Sequence, residues 1–335
     1  ERYIPIDGRF PVNGHSLSSA LHSVPDCQRI IKKAAAVAMG GAYGAQWLPE
    51  SGDMYQLQFS IVKDRAEIFL DTTGPALFKR GYRPGRVAAP LRETLAAALV
   101  GFARYRGREV FRDPFCGSGT IAIEAALIAR NRAPGLDRSF AAEGWAFAPA
   151  SVWREARDEA KSLEYNGEYH IFASDIDPRA VALSRENARR AGVERDITFS
   201  VADARVIEPA GERGVIVCNP PYFTDSLRSP HAARNGARHN DTLTLTQLVH
   251  VASRLLSADG RMAVIVPADS ASELLTHASL AYGLHTLHTV YIHTKPDTPP
   301  KRCIHVLAHT ATHVTSEHIV IGDAVYHSLT DDYYL

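Results

Sequence analysis

The sequence predicts an α/β protein built on a mostly parallel sheet with helices on both faces. From residue 109 onward, short apolar strand patterns alternate with amphipathic helix patterns, which is typical of this architecture. The chain has 335 residues, of which 45% are hydrophobic and 22% charged, enough for one large core or two domains. Lys plus Arg equals Asp plus Glu, at 37 each, so net charge favours no class of partner and any basic surface must be local.

The first 75 residues predict a small domain of their own, with the order strand, helix, strand, strand. The helix is expected over residues 25–39, where Gly40 and Gly41 would end it. Apolar and polar residues then alternate on both sides of Lys63, which predicts a hairpin. Residues 76–90 are rich in Arg, Gly and Pro and predict a basic linker.

Residues 91–335 form the predicted α/β domain, which begins with a strong helix pattern. Its seven strands have the sequences VFRDPF, HIFASDID, ITFSVADA, VIVCNPP, RMAVIVPA, TVYIHTK and CIHVLAHTA. The link Pro296–Arg302 is too short for a helical crossover, so the last two strands should pair antiparallel. Residues 131–168 form a long insertion, expected to be helical around 151–162.

Cysteine and histidine usage predicts a cytoplasmic protein without a metal site. The four cysteines form no CxxC pair and are expected to be free thiols in a reducing compartment. Most histidines lie after residue 225, without the spacing of metal ligands. The first residues, ERYIPIDGRF, lack signal-peptide character, and no run of about 18 apolar residues predicts a membrane span.

The stretch DPFCGSGT, residues 113–120, follows the first strand of this domain and opens a helix. Gly117 and Gly119 allow a ligand to approach the backbone, and the helix start offers free N–H groups. A phosphate-binding P-loop would need a Gly-Lys-Ser/Thr ending, and a dinucleotide site would need a third glycine and a nearer acid. A site for S-adenosylmethionine tolerates both departures, because this molecule has no pyrophosphate.

Acidic residues follow the next two strands. Asp175 is the favoured acceptor for the ribose hydroxyls, with Asp177 second, although Asp177 also suits the N-cap of the next helix. Asp203 is the candidate acceptor for the adenine amine. The predicted cofactor-binding residues are therefore Asp113, Phe115, Gly117, Ser118, Gly119, Thr120, Asp175, Ile176, Asp203 and Asn219.

The tetrapeptide Asn219-Pro220-Pro221-Tyr222 ends the fourth strand and is the candidate catalytic motif. An exocyclic amine on a base is a poor nucleophile, since its lone pair is delocalised into the ring. The Asn219 side-chain oxygen and the Pro220 carbonyl can accept both N–H bonds and direct the lone pair at a methyl donor. Tyr222, with Phe223, can stack on the base.

Residues 1 to about 215 resemble the THUMP-containing RNA methyltransferases of the guanine-N2, 23S rRNA type. The resemblance is carried by HSLSSALHSVPDCQRIIKKA, KRGYR, APLRETLAAALV, DPFCGSGTIAIEAALIARNRAPGL and SDIDPRAV. It implies a class I S-adenosylmethionine-dependent methyltransferase fold, with a Rossmann-like seven-stranded sheet whose last strand is antiparallel. It also implies that residues 1–75 are part of a THUMP-like α+β RNA-binding domain.

From about residue 215 the chain is instead similar to the bacterial tRNA adenine-N6 methyltransferases that act on tRNA-Val. The matching stretches are NPPYFTDSLRSPHAARNGARHNDTLTLTQLV, LLSADGRMAVIVP, KPDTPPKRCIHVLAH and YHSLTDDYYL. Phe223 stands where the guanine type usually has glycine. The sequence therefore predicts a mosaic, with a natural or engineered junction near residues 215–222.

The expected function is methylation of an exocyclic base amine in RNA, most of all adenine N6 in tRNA. Guanine N2 of 23S rRNA, adenine in DNA, and a non-catalytic RNA-binding protein with a relic fold are the alternatives. The residues predicted to contact substrate are Phe223, Arg228, Arg234, Arg238, Lys79, Arg80, Arg83, Lys301 and Arg302. Solubilising surface charge is the competing interpretation of the basic groups.

Overall fold

A computed structural model describes residues 3–83, 91–208, 214–221 and 243–321. The chain divides into two compact units, Glu1–Leu77 with Arg138–Glu159, and Phe78–Asp137 with Ala160–Leu335. Within the described ranges, no helix is long and apolar enough to cross a membrane.

The first unit contains a three-stranded sheet and the helix that connects its first two strands. Its elements are β1 (Val12–Leu17), α1 (Val24–Tyr43), β2 (Leu57–Val62) and β3 (Arg65–Leu70). Strands β1 and β2 are parallel because α1 returns the chain to the same edge, whereas β2 and β3 form an antiparallel hairpin. The hairpin turns at Lys63 and Asp64, whose φ angles are 50° and 62°. The order strand, helix, strand, strand is confirmed.

The predicted end of α1 is wrong. The helix continues through Gly40 and Gly41 to Tyr43 and ends at Gly44, which is left-handed with φ 64°. Gly44 donates its N–H to the Gly40 carbonyl, as at a helix terminus. A glycine inside a helix costs only about 1 kcal/mol, and packing of Cys27 and Met39 offsets that cost.

Residues from the long insertion complete the first unit. Trp145 stacks on Tyr55 with ring centroids 4.7 Å apart, and its Nε1 donates to the Met54 carbonyl at 3.1 Å. Helix α4 (Ala150–Ser162) follows, and its Trp153 packs against the same small core. The predicted helix around 151–162 is confirmed.

The described part of the second unit contains one large sheet. Its eight strands are β4 (Phe111–Asp113), β5 (Ile171–Asp175), β6 (Ile197–Val201), β7 (Val215–Cys218), β8 (Met262–Pro267), β9 (His285–His293), β10 (Arg302–Ala308) and β11 (Thr315–Val320). They lie in the order β11-β9-β10-β8-β7-β4-β5-β6. The helices of this part of the unit are α2 (Glu93–Phe102), α3 (Thr120–Ala129), α5 (Pro178–Arg190), α6 (Leu245–Leu255) and α7 (Ala271–Tyr282).

The strand directions agree with the predicted fold class, with one addition. Strand β10 runs antiparallel to both β8 and β9, as the short link before it predicts. An eighth strand, β11, pairs parallel to β9 at the sheet edge, so the antiparallel strand is not the last one. The sequence of β11, TSEHIV, is mostly polar and exposed, and such an edge strand lacks the apolar pattern of a buried one.

Both faces of this sheet are covered. Helices α2, α3 and α5 contribute Leu99, Ile121 and Ala188 to the core on one face. Helices α6 and α7 contribute Leu248 and Leu274 to the core on the other face. Because β4 to β8 are parallel, the loops that follow them lie together at the carboxyl edge, where doubly wound sheets bind ligands.

Candidate active site

The predicted motifs meet at the carboxyl edge of the second unit. Strand β4 ends at Asp113 and lies between β5, which ends at Asp175, and β7, which ends at Cys218. Asn219 follows Cys218 directly. The sheet order therefore places the glycine loop after β4 between the acidic loop after β5 and the Asn-Pro-Pro loop after β7.

The glycine loop is held by its neighbour β5. The N–H of Cys116 donates to the Ser174 carbonyl at 2.8 Å, and the N–H of Gly117 donates to Asp175 Oδ2 at 2.9 Å. On the helix side, Asn187 of α5 donates its Nδ2 to the Ser118 carbonyl at 2.9 Å. Asn187 is not among the predicted residues, because a single amide in an amphipathic helix carries no motif.

Gly119 has to be glycine. Its φ is 83°, and a Cβ at this position would collide with Ser184 Oγ on α5 and approach Ser184 Cβ within 3.0 Å. Gly117, with φ 51°, has no such neighbour in the described ranges: a Cβ there would meet only the Phe115 carbonyl, at 4.0 Å. Gly119 therefore allows close helix packing, while Gly117 leaves open space over the loop.

Asp113 is a buried carboxyl group beneath this loop. It is 1% exposed, its Oδ1 accepts the Phe115 N–H at 3.3 Å, and its Oδ2 has no hydrogen-bond partner among the described residues. Burial, reinforced by the charge of Asp175, raises the pKa of Asp113 to about 8. Asp113 is thus protonated at neutral pH and has a hydrogen-bonding oxygen to offer.

Asp175 is a shared acceptor at the end of β5. Besides the Gly117 N–H, it accepts the Asp177 N–H on Oδ1 at 3.0 Å. Asp177 plays a different part, because it is the N-cap of α5, accepts the Arg179 N–H at 2.9 Å and pairs with the Arg179 side chain. The N-cap interpretation of Asp177 is confirmed. Ile176, between the two acids, is 52% exposed at the same edge.

Asp203 follows β6 and begins a short 3₁₀ turn. Arg205 binds its carboxylate through the backbone N–H at 2.9 Å and through Nη2 at 2.5 Å. The Arg205 guanidinium, more than any other group, lowers the pKa of Asp203, so this side chain is an ionised acceptor at neutral pH. Arg205 was not predicted, although an arginine two residues after a loop carboxylate is a readable signal.

Asn219, Pro220 and Pro221 leave the sheet as predicted. Cys218 and Pro220 are buried, Asn219 is half-buried, and Pro221 is exposed. Burial on both sides of Asn219 fixes the backbone from which its side chain projects. Five predicted residues lie outside the described ranges: Tyr222, Phe223, Arg228, Arg234 and Arg238.

Arg80 and Arg83, which were predicted to contact substrate, are paired with acidic side chains of the second unit. Arg80 is buried with Glu124 of α3, 3.5 Å away, and Tyr82 donates its hydroxyl to the same carboxylate at 2.9 Å. Arg83 pairs with Glu93 at 2.6 Å and donates to Thr120 Oγ1 at 3.0 Å. The sequence contains one indication of this pairing: Glu124 lies inside an apolar helix pattern, and a buried acid requires a partner.

Among the described residues, three other basic side chains are candidates for substrate contact. Lys301 and Arg302 are exposed, and Arg302 is paired in register with Pro267, the last residue of β8. Because β10 is antiparallel, its start lies at the carboxyl edge with the other loops. Lys79 is exposed on the segment before Arg80. Within the described residues, no cluster of His, Cys, Asp and Glu could hold a metal ion.

The loop geometry fits S-adenosylmethionine. The open backbone at Gly117, the acceptor pair on Asp175, the unpartnered Asp113 Oδ2 and the exposed Ile176 provide the polar and apolar contacts that such a molecule needs. Together with the sheet order, these features define a class I S-adenosylmethionine-dependent methyltransferase.

Comparison with known proteins shows the family. The family described as RMKL-like, methyltransferase domain, matches residues 80–293, more than half of this chain. The chain therefore belongs to the RMKL-like methyltransferase domain family. The match continues through residues 215–222, where the sequence predicts a junction between two patterns, and the mosaic stays a prediction.

One curated relative is YpsC of Bacillus subtilis (strain 168), whose name describes it as a candidate RNA methyltransferase. The two chains are 47% identical over 223 residues, which are 66% of this chain and 58% of the relative. This chain thus spans less than two thirds of the relative's length.

Two solved structures are similar over most of the chain. A predicted N6-adenine-specific DNA methylase from Listeria monocytogenes str. 4b F2365 is 35% identical, with a TM-score of 0.74 over 91% of this chain and 74% of that one. SMU.472, described as a candidate methyltransferase and solved with S-adenosylhomocysteine (SAH), is 28% identical, with a TM-score of 0.73 over 93% and 78%.

Proposed function

We propose that this methyltransferase acts on an exocyclic amine of an RNA base. The observation that carries the proposal is the position of Asn219-Pro220-Pro221 at the end of β7, the strand paired with β4, which leads into the glycine loop. The groups that would hold a base amine therefore lie beside the loop that would hold the methyl donor.

The chain's own residues would activate the amine by accepting its two N–H bonds. Asn219 supplies an amide oxygen and Pro220 a carbonyl oxygen, and neither proline has an N–H that would compete. Withdrawing the two hydrogens from the ring plane turns the nitrogen lone pair out of conjugation. S-adenosylmethionine supplies a methyl group bonded to a positively charged sulfur. Placement of the amine, more than a strong base, then governs the rate.

We assign the cofactor contacts to the loops at the carboxyl edge. Gly117, Ser118, Gly119 and Thr120 would line the amino-acid part of the molecule, with Asp113 and Phe115 beneath them. Asp175 would accept from the ribose hydroxyls, Ile176 would pack on the adenine ring, and Asp203 would accept from the adenine amine. The ionised state of Asp203 supports this role, because a carboxylate can accept but cannot donate.

An RNA substrate is supported by the name of YpsC and by the basic side chains of Lys301 and Arg302 at the edge of the site. Cationic groups beside a base pocket would contact phosphates. The resemblance of residues 1–75 to part of a THUMP domain also favours RNA.

For the amine itself, we propose adenine N6 in tRNA. The sequence after Asn219 follows the adenine-type pattern, including Phe223, and the name of the Listeria protein also refers to adenine N6, although in DNA. Guanine N2 of 23S rRNA is the second candidate, favoured by the pattern of residues 1–215. The ranking follows the sequence after Asn219, because that segment would meet the edge of the base.

Mass spectrometry of nucleosides tests the proposal. The protein is incubated with S-adenosylmethionine bearing a trideuterated methyl group and with total tRNA, ribosomal RNA or DNA in separate reactions. We expect deuterated N6-methyladenosine from tRNA. N2-methylguanosine from ribosomal RNA would reverse our ranking of the amines, label in DNA alone would reject RNA, and no label in any polymer would reject the function.

The Asn219→Ala variant tests the catalytic assignment in the same assay. Loss of one preorganised acceptor should lower turnover by about 10²-fold or more, whereas the affinity for SAH measured by calorimetry should fall much less. Near-normal turnover would remove Asn219 from the catalytic machinery.

A further inference from the structure

Arg254 lies in the last turn of α6 and reaches to the loop after β6. Its Nη1 donates to the Arg205 carbonyl at 3.1 Å, and its Nη2 donates to the Ile207 carbonyl. The carboxylate of Glu208 lies 3.6 Å from the same guanidinium. The Arg254 side chain therefore contacts three residues of one loop.

The loop that Arg254 contacts begins at Asp203. Arg205 both binds the Asp203 carboxylate and offers its own carbonyl to Arg254, so one residue links the acidic acceptor to the arginine of α6. In this loop Val206 is 69% exposed, and the Glu208 side chain is 81% exposed. Ala204 is buried and Ile207 packs on the core, so the exposed residues between and after them depend on hydrogen bonds for their orientation.

Helix α6 is a rigid base for this contact. Leu248, Val251, Ala252 and Leu255 are buried in the core between α6 and the sheet, and Ile207 packs at the border of that core. The loop is thereby tied to the body of the unit at Ile207 and, through Arg254, on both sides of Val206.

We propose that Arg254 is a positioning residue, which fixes the loop of residues 203–208 so that the Asp203 carboxylate faces the adenine amine of the cofactor. This inference rests on the proposed role of Asp203. Arg254 does not touch the cofactor; it acts through the loop. Selection of adenine over a base with a carbonyl at the same position is the property that Arg254 would control.

A planar guanidinium suits this role. Two neighbouring carbonyls need two donors in a fixed relation, which the fork of arginine provides and the single ammonium of lysine does not. Lysine retains the charge toward Glu208 and can donate to one carbonyl at a time. The selectivity of the Arg254→Lys variant for adenine should therefore lie between that of the wild type and that of Arg254→Gln.

Calorimetry with two nucleosides tests the proposal without any turnover. The probes are SAH and its analogue in which hypoxanthine replaces adenine, so that a carbonyl faces the Asp203 carboxylate. The wild type should prefer SAH by about tenfold or more, since an acceptor facing an acceptor leaves both unsatisfied. Arg254→Gln should lower that preference by at least about threefold, mainly by weakening SAH binding.

Arg189→Gln is the control variant. Arg189 is an exposed arginine on α5 that pairs with Glu186 of its own helix, and its loss should leave the preference unchanged. Equal weakening of both probes by Arg254→Gln, or no change in either, would overturn the positioning role. A wild type that binds both probes equally would overturn it as well.

The experiment is independent of the substrate. If no RNA is methylated but the preference for SAH depends on Arg254, the proposed function fails and the positioning role stands. If RNA is methylated but the preference does not depend on Arg254, the reverse holds.

Discussion

Asp175 serves the protein and the proposed cofactor with one carboxylate. It accepts the N–H groups of Gly117 and Asp177, and its remaining lone pairs are those assigned to the ribose. Asp175→Ala should therefore weaken SAH binding by about 1–3 kcal/mol, both through lost acceptors and through a looser glycine loop. Calorimetry measures the change, and an unaltered affinity would mean that the wrong carboxylate has been assigned.

Asp177→Ala separates these effects. Asp177 caps α5 but does not touch the glycine loop, so its loss should lower thermal stability and leave SAH affinity nearly unchanged. Comparable weakening of SAH binding in both variants would show that the two acids act as one unit.

Asp113 makes stability depend on pH. Its pKa is raised from 3.8 to about 8 by burial, so the folded protein holds a proton that the unfolded chain releases above pH 4. The stabilisation is complete below pH 4 and is lost as pH rises through about 8. Asp113 should thus lower the free energy of unfolding by about 1.4 kcal/mol for each pH unit between these limits.

Asp113→Asn removes this contribution because an amide mimics the protonated carboxyl but does not titrate. Urea unfolding at pH 5, 6 and 7 should give a flatter pH dependence in the variant than in the wild type. Parallel curves would indicate that Asp113 is ionised in the folded protein.

For single residues, the sequence motifs predict which side chains belong to the site but not which side chains they pair with. The glycine loop, Asp175 and Asn219 were found because each ends a strand of a parallel sheet. Arg80 and Arg83 were assigned to substrate because they belong to a basic segment predicted to be a linker. Their true partners, Glu124 and Glu93, are distant in the sequence, and only the fold brings them together.

Helix α3 depends on the segment before α2. Nearly all of α3 is buried, including Glu124, which Arg80 and Tyr82 contact. Arg80→Met would leave a carboxylate buried without its cation and should destabilise the protein by about 3–5 kcal/mol. Chemical denaturation measures the loss.

The double variant Arg80→Met, Glu124→Leu tests whether charge burial is the cause. Removing both charges should recover much of the stability that the single change loses. A double variant no more stable than Arg80→Met would point to packing of the arginine stem as the main contribution.

Elements were predicted where burial creates periodicity and missed where it does not. Strands β4, β5 and β7 to β10 lie inside the sheet and have apolar sequences. Strand β6 is at one edge, but its sequence ITFSV still alternates apolar and polar residues. Strand β11, at the other edge, has the mostly polar sequence TSEHIV and is held by backbone pairing with β9. Similarly, Gly40 and Gly41 end no helix, because α1 is fixed by its packed face and the left-handed turn comes at Gly44. Local signals yield to tertiary contacts in both cases.

On the scale of the whole molecule, the predicted junction falls in the middle of the large sheet. Strand β7, which begins at Val215, pairs with β4 before it and with β8 after it, and Arg254 donates to the Arg205 carbonyl. Segments before and after residue 215 thus share one sheet and one hydrogen-bonded loop. A chain of mixed origin would have to match at this position in detail, since cores tolerate few voids.

Removing residues 1–77 tests the composition of the first unit. Trp145 and Trp153 pack with residues of that range, so the shortened chain should expose both side chains and bind the dye ANS. Replacing residues 138–159 by a Gly-Ser linker as well removes both tryptophans, so it should lower dye binding below that of the shortened chain. SAH affinity should stay within about threefold of that of the full chain, because the assigned cofactor contacts all lie in the second unit. Persistent dye binding would show that the apolar surface lies elsewhere.

Because the first unit consists of two separate stretches of the chain, the ribosome makes its two parts at different times. Its N-terminal sheet emerges from the ribosome early, but Trp145, which bonds to a carbonyl 91 residues earlier, does not. At about 5–20 residues per second, the 68 residues from Leu77 to Trp145 delay this contact by roughly 3–14 s. During that interval Tyr55 lacks the Trp145 ring on which it stacks, so the nascent sheet exposes an aromatic surface that the finished protein covers.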